Sequence, residues 1–186
     1  KLSFILFLSL LISATDAQQA GLTSKYDFIP GEKVIFFDDF SSESIGDFPA
    51  QWLTNGSGEI VSVENQQGRW FQMTRGGYFM PDVSIDMVDN YTVEFDIVPM
   101  NTAGVETIYG IDFFLLSGSL AEPGYGSQPG QAGLRLQPDY EDVFWNNWSE
   151  AREWQGDQGS VKFSFKAGTK YRISIWVQKQ RVRVYA

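Results

Sequence analysis

At 186 residues the chain has room for one sizeable domain and not for two of ordinary size. Hydrophobic residues make up 43% and aromatics 16%, enough to fill a core and still leave rings for a surface. A net charge of −9 with no Lys/Arg stripe excludes nucleic acid as a partner, and the absence of His and Cys excludes Ser-His and Cys-His nucleophiles, thiolate or imidazole metal sites and disulfides.

Lys1 is followed by the apolar run LSFILFLSLLI, too short to cross a bilayer as a helix. The run ends in SATDAQQ, with Thr15 and Ala17 in the −3 and −1 places of a small-residue cleavage site. This predicts a secretory signal peptide over 1–17, cut after Ala17, and therefore an exported protein. Residues 18–30 read as a lead-in and 31–186 as one domain, with no transmembrane helix in the mature chain.

Short apolar runs predict strands over 34–37, 59–63, 70–74 and 111–116. In 91–98, Tyr91, Val93, Phe95 and Ile97 share one face while Thr92, Glu94 and Asp96 take the other. The same alternation recurs in 161–166, where Val161, Phe163 and Phe165 oppose Lys162, Ser164 and Lys166. It recurs again in Tyr171, Ile173, Ile175 and Val177 against Arg172, Ser174, Trp176 and Gln178, then in Val182 and Val184 against Arg181, Arg183 and Tyr185. Glycines and prolines predict a long irregular segment over 117–139, and 139–159 reads as a second irregular stretch rich in Trp. No stretch holds a helical apolar period, so the expected fold is all-β: two antiparallel sheets packed as a sandwich or jelly roll. The last strand is still running at Ala186, which predicts a sandwich truncated at its C-terminal end, in a fragment of a longer protein.

Three constellations carry candidate chemistry. Trp145, Trp148 and Trp154, with Tyr140 and Phe144 beside them and Asn146, Asn147, Glu150 and Arg152 among them, have the composition of a glycan site: rings stack on sugar faces while amides and carboxylates take hydroxyls. The same rings could equally cap the sandwich as a minor core. Trp176 and Arg172, with Arg183 and Tyr185, make a polar sheet face that could bind a ligand. Asp38 and Asp39, helped by Asp47 or Asp82, are the candidates for a structural calcium, although no D-x-D-x-D-G loop is present. Their alternative role is to order a turn through side-chain to backbone hydrogen bonds. No other cofactor is expected.

Phe28-Ile29-Pro30-Gly31-Glu32, Phe37-Asp38-Asp39-Phe40, Gly46-Asp47-Phe48-Pro49 and Trp52 open the mature chain. Gly77-Tyr78, Pro81-Asp82, NYTVEFDIVP and YRISIWVQKQRVRVY follow. Together, over roughly 24–186, they resemble the N-terminal concanavalin A-like (laminin G-like) sandwich of OmpA-family envelope proteins of Gram-negative bacteria. That resemblance implies a periplasmic or outer-membrane, cell-surface location. It also implies a following OmpA-like domain that grips peptidoglycan, a partner these residues themselves do not reach. Glucanases of the same fold carry an E-x-D-x-E strand whose outer carboxylates are nucleophile and acid/base. Here Glu94 and Asp96 occupy the first two places, but Val98 stands in the third, and one carboxylate cannot both attack and protonate. The expectation is a non-catalytic module that binds a glycan or an envelope protein, or acts as a spacer. The rival is a carbohydrate-active enzyme in which Glu94 works with Glu106 or Asp112.

Overall fold

The computed structural model describes residues 26–73, 76–83, 88–100, 112–117, 132–139, 141–148, 156–179 and 181–186. Among them there is no helix, and every strand pairing is antiparallel. The strands are β1 (Trp52–Thr54), β2 (Gly58–Val61), β3 (Trp70–Met73), β4 (Phe79–Pro81), β5 (Asn90–Ile97), β6 (Phe113–Ser117), β7 (Ala132–Asp139), β8 (Asp142–Trp148), β9 (Gln158–Lys162), β10 (Tyr171–Gln178) and β11 (Arg181–Tyr185). The expected leader over 1–17, residues 18–25 of the lead-in and residues 118–131 of the long loop lie outside the described residues.

Two larger sheets carry the core. One has the order β11-β10-β5 and the other β6-β7-β8-β9. The period-2 pattern dictates which side chains meet between them. Tyr91, Val93, Phe95 and Ile97 of β5 and Ile173, Ile175 and Val177 of β10 face Phe113, Leu115, Leu134, Leu136, Val143 and Trp145 of the second sheet. Contact between the layers is direct, with the Phe95 and Phe113 rings 5.1 Å apart. Each fully buried Ile or Val in this layer contributes about 1.5–3 kcal/mol by leaving water. The result is a sandwich-like, all-β arrangement.

Two small sheets, β1-β4 and β2-β3, precede the larger pair. They enclose an aromatic cluster in which the Phe71 ring lies within 6 Å of Phe40, Phe48, Trp52 and Phe79. Ile60 beneath it is fully buried. Backbone bonds from the Gly46 amide to the Ile60 carbonyl (2.9 Å) and from the Ile60 amide to the Asp47 carbonyl (2.8 Å) tie the Gly46-Asp47 turn to β2.

Several local expectations change. Residues 34–37 form no strand, and Val34, Ile35 and Phe37 are exposed. The strand expected over 161–166 runs instead from Gln158 to Lys162; Phe163 and Phe165 continue into the core without strand pairing. The stretches read as irregular contain β7 and β8, the two central strands of the four-stranded sheet.

Candidate functional site

Each large sheet turns one face to the core and the other outward, so the chain offers two outer faces. They differ in what the chain itself does with them.

On the outer face of β5, β10 and β11, cross-strand register sets Asp96 opposite Arg172, Glu94 opposite Ser174, and Ser174 opposite Tyr185. The Arg172 guanidinium forks, donating to Asp96 Oδ1 and Glu94 Oε2 at 3.0 Å each, while Lys170 Nζ lies 2.8 Å from Asp96 Oδ2. Burial pushes the Asp96 carboxyl up, but the hydrogen bonds and charges of Lys170 and Arg172 outweigh it and hold the group below its ordinary value. The same bond to Asp96 raises the Arg172 guanidinium, helped by Glu94 and opposed by burial. Glu94 and Asp96 therefore form a charge ladder with the chain's own cations. Between them and Tyr185, Ser174 is only 1% exposed.

The other end of this face is covered by the lead-in. Asp27 Oδ1 accepts the Tyr185 hydroxyl at 2.7 Å, and Asp27 Oδ2 accepts Arg183 Nη1 at 3.0 Å. Phe28 sets its ring edge-on to Trp176 (6.2 Å) and Tyr185 (5.7 Å), and Arg183 lies over the Trp176 ring at 5.1 Å. Arg172 and Trp176, expected as ligand contacts, are thus engaged by the protein itself.

The outer face of β6–β9 is built differently. Register places Phe114, Arg135, Asn146 and Gln158 in one row across four strands, and Gln137, Phe144 and Ser160 in the next. Arg135 donates through Nε (3.1 Å) and Nη2 (2.7 Å) to Asp112 Oδ2 and stacks over Phe114 at 5.9 Å. A third row pairs Asp142 with Lys162, whose ammonium lies 2.9 Å from Asp142 Oδ2. Between these ion pairs the Phe144 ring is 43% exposed, flanked by amide and hydroxyl side chains.

The expected tryptophan platform is not where that exposure lies. Trp148 is 3% exposed and packs edge-on to Phe114, while Trp145 turns to the opposite face and joins the core. Odd spacing along a strand sends the two rings to opposite sides. Neither is open to a sugar, and Trp154 lies outside the described residues. Asn146 does stand on the open face. Phe144 belongs to the aromatic-rich stretch that the sequence singles out around these tryptophans, and its place in the alternation, one residue from Trp145, puts it on the face opposite to the core.

Asp38 and Asp39 order a turn. Asp38 Oδ1 accepts the Phe40 amide at 2.8 Å, Asp38 Oδ2 accepts the Trp52 indole N–H at 3.1 Å, and Asp39 Oδ1 accepts the Ser41 amide at 3.0 Å. Among the described residues no group of three or more acidic side chains is arranged to hold a metal ion. Glu106 lies outside the described residues, and Asp112 sits on the outer face opposite to that of Glu94, with the core between them. Comparison with protein-family models, curated proteins and solved structures gives no match to this chain.

Proposed function

We propose that the chain is a non-catalytic binding module of a bacterial cell envelope, a concanavalin A-like sandwich that holds a glycan or glycan-bearing envelope component on the outer face of β6–β9. The observation that carries this reading is the half-exposed Phe144 ring set among Gln137, Asn146, Gln158 and Ser160. An open ring takes the apolar face of a sugar, and neutral amides and hydroxyls exchange hydrogen bonds with its hydroxyl groups without the desolvation cost of a charge. The non-catalytic part of the reading is supported by Glu94 and Asp96, which are committed to Arg172 and Lys170, and by the separation of Glu94 from Asp112. Export through the N-terminal leader and a following peptidoglycan-gripping domain belong to the same proposal, on the resemblance given above.

The test is a titration of the full chain against a panel of envelope polysaccharide fragments, with Phe144→Ala and Asn146→Ala as variants. Saturable binding is expected to at least one fragment, weakened about tenfold, or about 1.4 kcal/mol, by Phe144→Ala. No saturable binding across the panel, in a chain that is folded by circular dichroism, would leave a spacer in place of a binding module.

A further inference from the structure

Trp52 holds the segment 36–40 from one side only. Phe36 and Phe40 set their rings 6.2 and 6.1 Å from the Trp52 ring, and between them Asp38 Oδ2 accepts the Trp52 indole N–H at 3.1 Å. Residues 36–39 run without a turn, and exposure alternates from Ile35 to Phe40, so the odd-numbered side chains point away from Trp52. Ile35 is 52% and Phe37 71% exposed, with Val34 beside them at 73%; Lys33 and Asp39, at the two ends of the row, are exposed as well. Among the described residues the backbone of 34–39 neither donates nor accepts a backbone hydrogen bond, which leaves its amides and carbonyls open as at an unpaired strand edge.

The exposed row reads Lys33, Ile35, Phe37, Asp39: a cation, two apolar side chains, an anion. Turned antiparallel about Phe36, the row is complementary to itself. Lys33 falls opposite Asp39 and Ile35 opposite Phe37, each pair occurring twice. A slip of one residue would set the exposed row against the inward one, and a slip of two would set Lys33 opposite Phe37 or Ile35 opposite Asp39. We infer that the chain forms a two-fold dimer through antiparallel pairing of residues 33–39, the exposed row of one copy being covered by the same row of a second. A net charge of −9 on each copy opposes approach, and the two Lys33–Asp39 contacts offset it locally. Three side chains this open present roughly 300 Å² of apolar surface per copy, less than a standard interface buries, so the dimer is reversible, with a dissociation constant on the order of 100 μM. The glycan reading plays no part in this inference.

Sedimentation velocity of the full chain, from about 5 μM to about 1 mM, should show monomer giving way to dimer as concentration rises. Lys33→Glu and Asp39→Lys, each alone, set like charges opposite one another twice and should raise the dissociation constant about tenfold or more. An equimolar mixture of the two variants should dimerise as the unmodified chain does, because in the mixed pair every charge again meets its opposite. Phe37→Ser should also weaken association about tenfold while far-UV circular dichroism stays unchanged. Asp39 accepts the Ser41 amide as well. Should Asp39→Lys unfold the chain, Lys33→Glu and Phe37→Ser, whose side chains meet no partner among the described residues, decide the matter. A chain that stays monomeric throughout would overturn the inference and leave the row to a different protein. A dimer indifferent to both Lys33→Glu and Phe37→Ser would overturn it too, as would a mixture of folded variants that associates no better than either alone. Phe144→Ala should leave every one of these readings unchanged, which separates failure here from failure of the glycan site.

Discussion

Asp96 shows how much a single group on the outer face of β5 depends on its neighbours. Its carboxyl lies below the ordinary value of 3.8 because donors from Lys170 and Arg172 outweigh the effect of burial. A depressed carboxyl contributes stability above its unfolded value and loses that contribution as pH falls through its folded value. Asp96→Asn should therefore cost at most about 1 kcal/mol at pH 7, since both partners are solvent-screened. The gap to the unmodified chain should close once the pH is well below 4, as read from urea midpoints at both pH values. Trp52 is the second case. Its indole N–H is held by Asp38 while its ring packs against Phe71 at 5.4 Å. Trp52→Phe should cost about 1 kcal/mol for the lost hydrogen bond, and Trp52→Ala about 3 kcal/mol or more once the ring contacts go as well, both by denaturant unfolding. The pairing of Asp38 with Trp52 was not legible in sequence. The D-D-F and P-x-x-W residues stood out as a pattern, but only the fold brings positions 38 and 52 together.

At the scale of elements, alternation was a sufficient guide where one face is apolar and the other polar. β5 and β10 are such strands, and their residues pair from Tyr171↔Ile97 to Gln178↔Asn90 with the apolar set inward. β8 is not. Its sequence, DVFWNNW, places aromatic residues on both faces, so it carries no legible period. β7 is masked in a different way, by its position at the end of a Gly/Pro-rich run and by a proline at Pro138. The run over 34–37 fails in the opposite sense: four apolar residues look like a strand, yet among the described residues no strand pairs with them. The seam between β8 and β9 gives a sharp test. Trp145 lies on Gly159, where an added Cβ would come within 2.9 Å of the indole Nε1. Gly159→Val should force the ring out of place and destabilise the chain by about 1–3 kcal/mol, with a shift of tryptophan emission.

For the molecule as a whole, one apolar layer between two sheets decides what the rest of the sequence is free to do. It assigns every second residue of β5, β6, β7, β8 and β10 to the interior and leaves two outer faces to the polar residues of those strands. One is closed by an ion-pair ladder and by the chain's own lead-in; the other keeps an open ring among amides. That inequality is the claim on which the proposed binding site rests. Nuclear magnetic resonance of the full chain with a neutral paramagnetic cosolute measures it residue by residue without a ligand. Strong relaxation is predicted for the Phe144 ring and for Gln158 and Ser160, with weak relaxation for Ser174 and Trp176. Relaxation of Ser174 and Trp176 as strong as that of Phe144 would contradict it.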